Sequence, residues 1–143
     1  MEQKDKDLII KDLCGRLPYG VKFECNENIY TAEGLDLIVT DECDWEYAVT
    51  SKYIAPIEID FIKPYLFPLS SMTEEQKLYL EWHTKYRLDD GELVVKKDED
   101  DEYLNTNMYD YLSLIEWLNK NHFDYQGLIE RGLAIDATGL DIY

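Results

Sequence analysis

Residues 107–134 read NMYDYLSLIEWLNKNHFDYQGLIERGLA, the stretch with the strongest periodic signal in the chain. Met108, Tyr111, Leu112, Ile115 and Leu118 recur at spacings of three and four, which puts them on one side of a 3.6-residue helix. Asp110, Glu116, Asn119 and Lys120 hold most of the polar positions between them. Leu114 and Trp117 widen the apolar stripe to the breadth of a helix lying on a sheet. Asn105, Thr106 and Asn107 each offer a side-chain oxygen for the N-cap, and Asp110 complements the positive end of the dipole. Asn121 and His122 close the helix. Asp124 then caps a second, short helical turn over residues 125–131, and Gly132 stands where a left-handed residue ends it. Leu128, Ile129 and Leu133 pack that turn back on the core.

Working outward, Thr73 with Gln76 three residues on is a capping box, and Glu74 and Glu75 suit the first turn of the helix it opens. Leu78, Tyr79, Trp82 and Tyr86 form its expected inner face, and residues 88–91 (LDDG) end it. Residues 92–96 add a short strand, and the acidic run KDEDDE at 97–102 is expected to be a mobile solvated loop. At the other end of the chain, Leu8, Ile9, Asp12 and Leu13 mark a helix over residues 5–13, with Lys6 and Lys11 outward. After the turn chemistry of Pro18, Tyr19 and Gly20, short alternating segments follow: Val21/Phe23/Cys25, residues 29–32, Leu35/Leu37/Val39, Trp45/Tyr47/Val49 and Ile57/Ile59/Phe61. Asn26, Glu27 and Asn28 make a hairpin turn between the first two. Pro64 and Pro68 bracket Tyr65, Leu66 and Phe67 in an extended or turned, non-helical segment. The fold class expected is α+β in a single domain over residues 1–143. It comprises an N-terminal helix, an antiparallel meander of roughly four to five strands, two main C-terminal helices and a short terminal helical turn.

The phrases HFDYQGLIERGLAIDATG (residues 122–139), KPYLFPLSSMTEEQ (63–76) and DLCGRLPYG (12–20) resemble a family of small, uncharacterised acidic proteins from gut bacteria and their phages. The likeness touches most of the chain in pieces. It implies no activity; it implies an intracellular setting and a link to mobile elements.

The chain carries 31 carboxylates against 14 lysines and arginines, a net charge of −17. Residues 24–60 and 89–102 hold 15 of those net charges. That sign argues against direct nucleic-acid binding and against anionic membrane surfaces, and favours a partner with a basic surface. Mimicry of DNA is not indicated, because the surface charge is at least about twofold sparser than that of a duplex. No leader is visible in MEQKDKD and no segment has the roughly 18 apolar residues of a membrane span, so a cytoplasmic location is expected. Cys14, Cys25 and Cys43 lack zinc-ligand spacing and read as reduced thiols.

No nucleotide-binding, serine-hydrolase or metalloprotease motif is present, and no cofactor is expected. His122 with Asp124 is the nearest thing to a general-base pair, and it carries the alternative of a small hydrolase or metal-dependent enzyme. Asp98, Asp100 and Glu102 offer oxygens to Ca²⁺ but lack the glycine and terminal glutamate of an EF-hand. The expected function is therefore a non-enzymatic protein-interaction module. Asp41, Glu42 and Asp44 in a polar loop are the partner-binding candidates, with Tyr65 and Phe67, whose segment reads either as an exposed apolar ridge or, as is more usual, as a strand end tucked under the next helix. A structural homo-oligomer such as a homodimer is the third reading.

Overall fold

The computed structural model describes residues 1–143. The fold is α+β, and the chain divides into two compact units: residues 1–66 with 126–143, and residues 67–125. No helix is long and apolar enough to cross a membrane.

The first unit opens with α1 (Gln3–Arg16), which buries Ile9 and Leu13. Asp12 and Arg16, one turn apart, are fully buried with them as a bidentate pair at 2.8 and 3.0 Å. Gln126 adds a third bond to the Asp12 carboxylate at 3.1 Å. Strands β1 (Lys22–Cys25) and β2 (Asn28–Thr31) form a hairpin. Its two-residue turn puts Asn26 and Glu27 at φ 50° and 63°, the primed geometry that matches strand twist. A separate antiparallel sheet holds β3 (Gly34–Val39), β4 (Trp45–Ser51) and β5 (Ile54–Glu58) in that order. The expected single meander is thus divided between a hairpin and a three-stranded sheet. The last of these strands ends before Ile59, where a 3₁₀ turn (Ile59–Phe61) replaces the expected alternation.

The proline-bracketed segment is a strand, β6 (Lys63–Pro68). Within the first unit β6 pairs antiparallel with β1 and parallel with the two-residue β10 (Ile135–Asp136). The terminal segment before β10 is a turn rather than a helix. Gly132 donates to the Ile129 carbonyl at 3.0 Å and Leu133 to that of Leu128 at 2.9 Å. With Gly132 at φ 74°, this is a Schellman closure. The core joins Phe23, Val49, Ile62 and Leu66 to Leu128 and Leu133.

The second unit contains α2 (Glu74–His83), the hairpin β7 (Tyr86–Asp89)–β8 (Glu92–Val95), α3 (Met108–Lys120) and β9 (Phe123–Asp124). Phe67 and Pro68 pair with β9 in parallel. Both helices carry complete capping boxes, Thr73 with Gln76 and Asn107 with Asp110. The Asn107 N–H and then Lys85 hold the Asp110 carboxyl below its usual range. Asp90 and Gly91, at φ 49° and 77°, turn the β7–β8 hairpin; α2 stops seven residues earlier, at His83, and Tyr86 is a buried strand residue. The acidic run after β8 is a closed turn. Lys97 bridges Tyr103, and one Asp98 oxygen accepts the N–H groups of Asp100 and Glu102 at 2.9 and 3.1 Å.

The helix faces differ from expectation. In α3 the covered residues are Leu114 and Leu118, with Ile115 and Trp117 partly covered, whereas Met108, Tyr111 and Leu112 are exposed. Only the last two turns of α3 have core partners, namely Leu80, Tyr86 and Phe123. In α2 the buried residue is Leu80, while Leu78, Tyr79 and Trp82 face outward. Tyr79 is steadied there by stacking on Trp117, with ring centroids 5.4 Å apart.

Candidate functional site

The β3–β4 connection decides where the acidic loop points. Thr40 donates to the Asp44 carbonyl at 2.8 Å and Cys43 to the Thr40 carbonyl at 2.9 Å, with Cys43 at φ 63°. This tight loop holds Asp41, Glu42 and Asp44 in solvent. Along β4, side chains alternate: Glu46 and Ala48 take one face, Trp45, Tyr47 and Val49 the other. Ala48 lies opposite Glu58 on β5, so Glu58 shares the face of Glu46, and Asp60 follows in the 3₁₀ turn.

Carboxylate oxygens of Glu46, Glu58 and Asp60 lie within 4.8 Å of one another. Lys6 of α1 reaches into the cluster, 2.8 Å from Asp60 and 3.2 Å from Glu46. Lys6 is therefore turned inward, contrary to its expected outward place. Its hydrogen bond to Asp60 raises its pKa, against the opposing effect of burial, and Glu46 adds to the rise. The N-terminal ammonium stands 3.6 Å from Asp60. Lys6, Glu46, Glu58 and Asp60, together with Asp41 and Glu42, line a cleft of about 330 Å³. Its oxygen-only donors suit hard cations and ammonium or guanidinium groups. The Lys6 ammonium already lies between Glu46 and Asp60, where a divalent ion would compete with it.

Beside this cleft runs a second groove of about 420 Å³, with Lys6, Asp7 and Ile10 of α1 on one side and Leu37, Trp45 and Tyr47 of the hairpin on the other. Asp44 lines its mouth. The loop residues Asp41, Glu42 and Asp44 are thus brought to two adjoining depressions of the first unit.

Tyr65 and Phe67 are placed differently and form no exposed ridge. Tyr65 is only 6 % exposed. Its hydroxyl donates to Glu24 at 3.2 Å, and burial, then the Glu24 charge, raises its pKa. Its carbonyl accepts from the Tyr143 hydroxyl at 2.7 Å. That same hydroxyl accepts the Lys22 N–H at 2.9 Å, so Tyr143 ties β1 to β6. Phe67 packs edge-on against Phe123 in the second unit's core. The paired prolines confine both residues to a strand, and strands of a small core bury what they carry.

His122 and Asp124 are both buried, and the His122 carbonyl accepts the Phe67 N–H at 2.8 Å. His122 itself sits at φ 60° and turns the chain out of α3 into β9. Cys14 and Cys43 are exposed thiols and Cys25 a buried one.

Lys6, Glu46, Glu58 and Asp60 were not among the residues expected at a site. The alternation of Glu46 with Trp45 and Tyr47, and of Glu58 with Ile57, was the signal for each strand alone. Their meeting depends on the β4–β5 register and on α1, some 54 residues from Asp60. Comparisons with known protein families, with curated proteins and with solved structures found no match.

Proposed function

We propose that this protein is a non-enzymatic interaction module of the cytoplasm that engages a partner with a basic surface through the acidic cleft of the first unit. One observation carries the reading: Asp41, Glu42, Glu46, Glu58 and Asp60 converge on one depression lined by a single lysine, Lys6, so the carboxylates outnumber it and the N-terminal ammonium beside Asp60. Two of these carboxylates are already paired with Lys6; the others have charge to spare. Coulomb attraction between exposed groups acts over about 8 Å at physiological salt, which is enough to steer a basic surface onto the cleft. The resemblance to proteins of gut bacteria and phages adds the setting of a mobile element.

The test is affinity capture at roughly 50 and 500 mM salt, with the wild type and with a double variant, Asp41→Lys with Glu42→Lys. Both positions are exposed loop residues, so the substitutions leave the fold intact. A basic protein retained only at low salt, and lost by the variant, is the expected result. Partners that the variant and high salt leave in place would refute it.

A second reading, a homodimer, draws on α2, where Trp82 is 80 % exposed beside Leu78. Sedimentation equilibrium of the wild type and of Trp82→Lys separates the two, because a stable dimer buries roughly 1,000 Å² or more and a central lysine would abolish it.

A further inference from the structure

The hairpin of β3 and β4 has an apolar face that outruns the core it belongs to. Leu35 lies opposite Val49, Leu37 opposite Tyr47 and Val39 opposite Trp45, so all six side chains share one face. Val49 is fully buried and Leu35 partly so. Beyond them the same face opens to solvent, and Trp45 is 69 % exposed. An exposed indole at a strand terminus, with a second ring one pair along, has no packing reason within the unit.

The chemistry around those rings narrows what covers them. Asp7 and Asp44 line the same groove outside any ion pair, Asp7 accepting the Gln3 side-chain amide at 2.8 Å; Glu46 shares Lys6 with Asp60. A purely apolar occupant would desolvate these carboxylates without replacing their water. A second copy of the chain would bring its own net −17 against them. A planar cation satisfies both walls, since guanidinium stacks on an aromatic face while its edge forks to a carboxylate. The groove, at about 420 Å³, falls in the roughly 300–1,000 Å³ range of pockets that hold compact ligands.

We propose that the groove between α1 and the β3–β4 hairpin receives an arginine side chain of a partner protein, stacked on Trp45 and paired with Asp44 or Asp7. This rests on the acidic-cleft reading and specifies it: the cleft steers a basic segment, and the groove reads one guanidinium from it.

The experiment uses a fluorescein-labelled octapeptide alternating arginine and valine, and the same peptide with lysine for arginine, titrated with the full chain and followed by anisotropy. The arginine peptide is expected to bind, and the lysine peptide more weakly. Trp45→Ala, a change at an exposed side chain that leaves the net charge unaltered, is expected to weaken arginine-peptide binding by about fivefold or more. Leu37→Lys, which tethers a cation in the groove, is expected to abolish it. Circular dichroism of both variants confirms that they fold. If the arginine peptide binds and loses affinity with Asp41→Lys/Glu42→Lys but not with Trp45→Ala or Leu37→Lys, the groove assignment is overturned while the acidic-cleft reading stands. Equal binding of the lysine peptide overturns the choice of guanidinium. Failure of both peptides to bind, even at low salt, overturns both readings.

Discussion

Helices α1 and α3 are of similar length and both carry a regular apolar stripe, yet they spend it in different ways. In α1 the modest stripe of Ile9 and Leu13 is completely covered, and even Asp12 and Arg16 are drawn inside. In α3 the richer stripe is covered at Leu114 and Leu118 and left in solvent at Met108, Tyr111 and Leu112. Periodicity states which face of a helix is apolar. Coverage depends on how much other structure stands opposite, and the second unit has only a hairpin, a strand end and α2 to offer. The same shortage leaves Trp82 outside while Leu80, two residues away, is buried.

That contrast can be broken at its strongest point, the ion pair under α1. Asp12→Ala removes the bidentate partner of the buried Arg16 guanidinium and is expected to cost about 3–5 kcal/mol in urea denaturation; a loss below about 1 kcal/mol would mean that the pair is effectively solvated. Next comes α3 itself. Leu118→Ala should destabilise by about 2–5 kcal/mol, whereas Leu112→Ala should stay within about 0.5 kcal/mol. Equal effects would show that the stripe is covered along its whole length. Gly132→Ala tests the Schellman closure: nothing crowds the position, so the cost is the left-handed backbone alone, about 1–2 kcal/mol by thermal melt.

The smallest effect belongs to Tyr143→Phe, which removes the hydroxyl tie between β1 and β6 and should cost about 1 kcal/mol at neutral pH. It also carries a pH signature. Burial pushes the Tyr143 phenol up from 10 to about 12. A pKa raised in the folded state means that its stabilisation is whole below pH 10 and disappears as pH climbs towards 12. Alkaline titration of stability should therefore show a steeper fall in the wild type than in Tyr143→Phe, and parallel curves would refute the assignment.

Local chemistry was legible in the sequence wherever one or two residues settle it. Thr73 with Gln76, Gly132 and the turn at Asn26–Glu27 all do what their side chains or missing side chain dictate, and of the three candidate caps before α3 it is Asn107 that pairs with Asp110. Asp90–Gly91 carried an equally plain hairpin signal, but the apolar spacing from Leu78 to Tyr86 suggested a longer helix and hid it. Strands β9 and β10, at two residues each, are too short for any alternation to exist. Of the candidate site, the acidic loop could be read from composition. Its meeting with Glu46, Glu58, Asp60 and Lys6 could not, because strand register and helix docking bring those residues together across the length of the first unit.

The first unit is discontinuous, with residues 67–125 lying in sequence between its two segments. During synthesis this reverses the usual order of events. Residues 1–66 leave the ribosome first, yet the β10 partner of β6 and the Leu128 and Leu133 side chains arrive last. The later-made but contiguous unit can finish folding while the earlier one still waits with an open strand edge, the condition under which nascent chains find wrong partners. The time taken to translate residues 67–136 thus sets how long that edge stays unguarded.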